Sequence, residues 1–349
     1  MNHLSLPSCL HSHSMALSKT CSGFLLIILS FFAYLLSCNC LCIIPSKQDD
    51  GLGRVKGMFV FGGSLIDNGN NNVLPTSAKG NYPPYGIDFP LGPTGRLTNG
   101  KNVIDLLGDH LRLTLLPPFT DPATKGDKIL HGVDYASAAS GILDDTGSVA
   151  GTVIPLSQQI RNFEGVTLPD LEAQTGCTSN QLLPYYIVMV YSLGGRKFVL
   201  LGIIPLGCIP AVLRSQPTGQ CSQIRNHAAQ LFNDRLRQLV DIARFQLPGS
   251  LFVFVNSYQI IINIINNPSI YGFSDATDPC CEVPTMNEGG NGISCKRDGQ
   301  VCGNRNAYVF FDGLHPTEAV NVMLADRAFS SPLISEVYPI NVNLLAFLG

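Results

Sequence analysis

Charge is scarce in this sequence: Lys, Arg, Asp and Glu make up 13% of 349 residues, and the formal net charge is −3. There is no basic stripe and no Lys/Arg run, so nucleic-acid binding has little support and acidic substrates have none. Hydrophobic residues at 45% exclude a disordered chain and allow a sizeable core. Two glycine signatures also fail. No Lys-Ser or Lys-Thr follows Gly62-Gly63, which argues against a phosphate-cradling loop. Ile66 stands where a Gly-x-Ser-x-Gly elbow would need its second glycine. The 12 cysteines form no CxxC pair, which leaves zinc the weaker reading and disulfides the stronger one. The one Asn-x-Ser/Thr match, Asn267-Pro268-Ser269, is blocked for glycosylation by its proline.

What is present centres on Phe59-Val60-Phe61-Gly62-Gly63-Ser64, an apolar run that could be a buried strand and stops at two glycines and a serine. Glycine permits close backbone approaches, so Ser64 can be held at the carboxyl end of a strand, where open α/β sheets place their ligands. Taken alone, Gly-Gly-Ser is more often a plain turn. Far downstream, Asp312-Gly313-Leu314-His315-Pro316 offers a carboxylate and an imidazole on one loop. A serine hydroxyl needs a neutral imidazole to take its proton, and the imidazole needs a carboxylate to fix its tautomer.

These blocks occur in order with Pro83-Pro84-Tyr85-Gly86, Gly95-Arg96-Leu97-Thr98-Asn99-Gly100-Lys101, Tyr135-Ala136-Ser137 through Ser140-Gly141-Ile142-Leu143, Leu193-Gly194-Gly195-Arg196-Lys197-Phe198 and Pro205-Leu206-Gly207-Cys208-Ile209-Pro210. From about Lys56 to the C-terminus the chain resembles the plant branch of the GDSL esterase/lipase family, in the SGNH hydrolase superfamily. The resemblance implies a three-layer α/β/α sandwich with a parallel, flavodoxin-like sheet, and a serine esterase acting on a small-molecule or lipid ester. It implies Ser64, Asp312 and His315 as catalytic residues, and the amides of Ser64 and Gly141 as oxyanion donors. No metal or organic cofactor is implied, and oligomeric state cannot be read.

The chain departs from that family twice. The acidic neighbour of the nucleophile is Gly63 here. The block ending in Gly-x-Asn-Asp, whose asparagine is the remaining oxyanion donor, is missing between Val190 and Tyr191. Parallel neighbours need a crossover of roughly a dozen residues, and Tyr191 to Lys197 supplies seven. We therefore expect that 185–190 and 198–204 are not adjacent parallel strands, that 185–190 runs as a helix into Gly194 and Gly195, that part of the central strand and its following helix is lost, that apolar surface is exposed, and that activity is impaired. A catalytically silent lipid- or glycan-binding relative and a shortened transcript product are the alternatives.

Strand-helix alternation supports one domain over 55–345. Strands are expected at 57–61, 132–136, 198–204 and 251–256. Helices are expected at 102–111 and 316–328, with a crossover helix at 222–245 whose apolar spacing runs through Ile224, Ala228, Leu231, Phe232, Leu236, Leu239 and Val240. His227, within that helix, reads as an ordinary helical residue. Lys19 followed by the apolar run 24–36 and a small-residue exit reads as a signal peptide over 1–42, with Met15 a second candidate start and an uncleaved anchor the competing reading. The product would be secreted, with no stable membrane span. Cys208 with Cys221, and Cys280 and Cys281 with Cys295 and Cys302, are the expected disulfides, while Cys177 has no evident partner.

Overall fold

The computed structural model describes Cys42 and residues 55–348. The leader expected over 1–42 lies outside the described residues except for Cys42. Strands β1 (Gly57–Val60), β2 (Gly132–Asp134), β3 (Tyr186–Ile187), β4 (Lys197–Leu201) and β5 (Leu251–Val255) pair in parallel in the order β2-β1-β3-β4-β5. That order is the flavodoxin-like one, whose switch point lies between β1 and β3. The sheet is not wholly parallel: β8 (Val337–Tyr338) adds to β5 in the opposite sense. A separate two-stranded sheet pairs β6 (Asp275–Pro279) with β7 (Tyr308–Phe310).

Side-chain alternation along the strands builds the layers. From β1, Met58 and Val60 enter one apolar cluster while Phe59 and Phe61 enter another on the opposite face. The first face is covered by α1 (Val103–His110), α5 (Ser257–Asn266) and α6 (Glu318–Ser330), through Leu107, Ile261 and Leu324 among others. On the second face Phe59 packs 4.8 Å from Phe163, at the end of α2 (Leu156–Asn162), and Leu171 comes from α3 (Leu168–Thr175). The long α4 (Gln223–Gln246) covers β4 and β5 on that face with Val240 and Ala243 against Phe198, Phe252 and Phe254. Helices thus flank the sheet on both faces, and the architecture is a three-layer α/β/α sandwich.

One expectation is corrected here. The segment before Gly194 is not a helix: Tyr186 and Ile187 form a strand between β1 and β4, and the crossover rule is met by truncation. Only Ile187 is registered with Lys197, so the chain has almost no strand length to return along. It comes back through a tight turn in which Gly194, at φ 108°, donates to Tyr191 O and Gly195 N donates to Val190 O. A side chain at Gly194 would meet the backbone of Asn180 at 2.9 Å. The crossover helix expected at 222–245 is α4; of the residues that mark its apolar spacing Val240 is buried, Phe232 and Leu236 are half-buried, and Ile224, Ala228, Leu231 and Leu239 lie exposed.

Among the described residues the disulfides are Cys208–Cys221, Cys280–Cys302, Cys281–Cys295 and Cys42–Cys177. The last corrects the view of Cys177 as partnerless, and a leader ending at 42 would carry away half of that bond.

Candidate active site

Ser64 stands where β1 ends, in a turn closed by Ile66 N donating to Gly63 O at 3.2 Å. Gln159, wholly buried, fixes the approach to that turn: its Oε1 accepts from Gly62 N at 2.8 Å and its Nε2 donates to Gly62 O at 2.9 Å. The loop after β2 is bound to the same turn, with Ser140 Oγ donating to Gly62 O at 3.2 Å. Below it, Asp67 accepts from the amides of Gly69, Asn70 and Ala138, and Asn71 Nδ2 donates to Ala138 O. These bonds lock the serine turn to the loop that carries Gly141. In that loop Ala139 holds φ 66°, a left-handed conformation that Cβ disfavours.

Asp67 and Asp134 form a buried acidic pair behind the serine turn. Burial outweighs the three amide donors at Asp67 and pushes its carboxyl up to about 6. Asp134 is raised well above the carboxylate range, first by burial and then by the nearby Asp67 charge.

On the opposite loop, His315 Nδ1 lies 2.8 Å from Asp312 Oδ2, both side chains buried. Asp312 Oδ1 accepts from the amides of Leu314 at 2.8 Å and His315 at 2.7 Å. The Tyr85 hydroxyl donates to Asp312 Oδ2 at 2.7 Å and accepts from Cys295 N at 3.0 Å. Tyr85 is pushed well above its ordinary range by burial and by the Asp312 charge, so it stays a phenol and a donor. The carboxylate is thereby tied to the Cys281–Cys295 disulfide. The 95–101 block holds the start of α6 just past His315: Thr98 Oγ1 donates to Pro316 O, Asn99 Oδ1 accepts from Glu318 N, and Glu318 Oε1 accepts from Lys101 N. Arg96 anchors that block through a two-pronged ion pair with Asp105 at 2.6 and 2.7 Å, and Asp105 also closes the capping box of α1.

His315 Nε2 is buried without a hydrogen-bond partner. The structure therefore joins Asp312 to His315 but does not close a bond from His315 to Ser64. Ser64 and Leu314, the chain neighbour of His315, line one cavity of about 520 Å³. Ala139, Ser140 and Ile142 lie on its wall, Gly141 does not, and none of its lining residues is asparagine. Among the described residues no cluster of His, Cys, Asp or Glu is placed to hold a metal ion, and no helix is long and apolar enough to cross a membrane. Sequence reasoning singled out the blocks containing Tyr85 and Arg96 without giving those residues roles, and missed Gln159 altogether; a glutamine at that position carries no local signal.

The chain is similar to known proteins along most of its length. The family model for GDSL-like Lipase/Acylhydrolase matches residues 170–328. GDSL esterase/lipase At1g71250 of Arabidopsis thaliana is 39% identical over 344 positions, covering 85% of this chain and 91% of that protein. GDSL esterase/lipase At1g71691 from the same plant is 36% identical, over 86% and 88% of the two chains. GDSL esterase/lipase 7 is 37% identical, over 83% and 92%. The first alignment is longer than the part of this chain it takes in: 344 positions against 85% of 349 residues, about 297 (0.85 × 349). With more than a third of its aligned residues identical to these proteins, the chain belongs to the GDSL esterase/lipase family.

Proposed function

We propose that this serine ester hydrolase uses Ser64 as nucleophile, His315 as proton shuttle and Asp312 as the group that orients His315. The observation that carries the reading is the buried Asp312–His315 pair with a free Nε2, next in the chain to a wall of the cavity that Ser64 lines. Ser64 Oγ attacks the ester carbonyl as His315 Nε2 takes its proton. The Oγ–acyl bond forms, the bond to the alkoxy group breaks, and the proton passes to the leaving alcohol. Water repeats the sequence and frees the acid. The Ser64 amide serves the oxyanion, with Gly141 as second donor only if its loop turns toward the cavity it does not line here. Ser64 turns toward Nε2 once substrate fills the cavity, since catalytic hydrogen bonds commonly tighten only in the complex.

The reading includes impaired turnover. A missing Gly-x-Asn-Asp block fits the truncated β3, the absence of asparagine from the cavity lining and the excess length of the alignment to the relative. One lost oxyanion donor costs about 100- to 1,000-fold in rate. The open His315 Nε2 favours a second reading, a silent binder of lipid or glycan.

Secretion is part of the proposal. Four disulfides among the described residues suit an oxidising compartment, and a leader cut ahead of Cys42 keeps the Cys42–Cys177 bond. The test is hydrolysis of p-nitrophenyl acetate by purified protein beside Ser64→Ala and His315→Ala. Slow turnover abolished by the first and sharply reduced by the second is expected; equal rates in all three remove these residues from the mechanism.

A further inference from the structure

The cavity beside Ser64 lies within the sheet, not on top of it. β3 touches β1 only through Gly57↔Tyr186 and Met58↔Ile187, and β4 only through Ile187↔Lys197. β1 continues to Val60, and β4 continues to Leu201 in full register with β5. Past Ile187, the edges of β1 and β4 therefore border a space that no strand fills. The cavity occupies that space, since Phe59, Val60, Val199, Leu200 and Leu201 line it together with Ser64. Exposure agrees: a strand paired on both sides in a covered parallel sheet is buried, and β5 is buried from Phe252 to Val255, whereas Val199, Leu200 and Leu201 are all half-buried.

We propose that this interstrand slot is an acyl-chain site, which takes the fatty tail of an ester between β1 and β4 and sets its carbonyl at Ser64. The inference rests on the hydrolase reading and specifies its substrate as an ester with a medium or long unbranched acyl chain. Its walls are apolar except for Ser64 and Ser140, and no charged side chain lines it. The volume, about 520 Å³, falls within the usual range for small-ligand sites. An extended peptide is the competing occupant, since two strand edges border the slot. The acyl chain is favoured because the walls offer a peptide's polar side chains no partner, and because Ser64, at the same cavity, needs an acyl carbon and not an amide ladder.

The test is a series of p-nitrophenyl esters from acetate to palmitate, read as kcat/KM. Each added methylene should raise the value by about fourfold until the slot is full, after which it levels off. Val199→Phe narrows the slot and should lower the palmitate-to-acetate ratio at least tenfold, while Phe232→Ala, on the outer wall, should raise it. A ratio that no variant moves, or a wild-type series flat from acetate onward, overturns the slot. Loss of acetate hydrolysis in Ser64→Ala checks the hydrolase reading separately. If no ester is turned over, binding of cis-parinaric acid by Ser64→Ala protein decides: tight binding weakened by Val199→Phe upholds the slot, and no binding sinks it. Binding of a strand-forming apolar peptide in preference to the fatty acid also counts against it.

Discussion

The residues that prepare the site are more informative than the three proposed to react. Tyr85 does not line the cavity yet shares Asp312 with His315, and its other partner is the amide of a disulfide cysteine. Tyr85→Phe removes one donor to a charged acceptor, a contact worth about 1.5–3 kcal/mol. We expect kcat to fall by roughly tenfold with KM little changed. A purely structural tyrosine would lower the amount of folded enzyme and leave kcat per folded molecule unchanged. Ala139 gives the opposite kind of test. Its left-handed φ costs about 1 kcal/mol that glycine does not incur, so Ala139→Gly should raise stability by about that amount in urea unfolding. No gain would mean that the loop relaxes around the methyl group.

At the scale of elements, β1, β2, β4, β5, α1, α4 and α6 are legible in the sequence because local pattern decides them, whereas α2, α3, α5 and β6 to β8 are not read from it. β4 and β5 are continuous apolar runs, and α1 begins at Asn102 with its capping box. The Asp312–His315 pair is legible because both residues sit on one loop, three positions apart. Tyr85 meets Asp312 across 227 positions, and only the folded chain brings them together. β3 is misread for a different reason: the crossover rule assumes strands of ordinary length, and a two-residue strand escapes it. Periodicity locates α4 correctly, yet it reports where apolar residues recur and not whether anything covers them, and Ile224, Leu231 and Leu239 lie exposed. The Cys42–Cys177 bond closes a loop of 135 positions and ties the segment before β1 to the end of α3. Chain-entropy reasoning gives such a closure a stabilisation of about 5 kcal/mol. Cys42→Ser should therefore lower the unfolding midpoint strongly, and the mature protein should retain Cys42 in non-reducing peptide mapping. A mature N-terminus beyond residue 42 would refute the placement of the cut.

For the molecule as a whole, the buried acidic pair makes stability depend on pH in a direction opposite to the common one. Most native carboxylates are held by cations or amides and lose stability as acid protonates them. Asp67 accepts three amides, yet burial dominates and its carboxyl titrates at about 6 in the fold, against 3.8 as the ordinary value. Asp134 shifts in the same direction, and the two charges oppose each other. The folded chain thus binds protons at these sites more tightly than the unfolded chain. The stability they contribute is complete below about pH 4 and is lost as pH rises through about 6. Arg96 offsets part of that loss for both carboxylates, although its own two-pronged bond goes to Asp105. Unfolding curves between pH 4.5 and 7.5 should show the midpoint falling toward neutrality. Asp67→Asn removes one of the two charges, so it should flatten that fall even though the amide's NH₂ meets one backbone donor badly and lowers stability at every pH. The diagnostic quantity is the slope, not the height, of the stability curve. A slope equal in the two proteins would mean that Asp67 and Asp134 remain ionised throughout, with the amides and Arg96 outweighing burial.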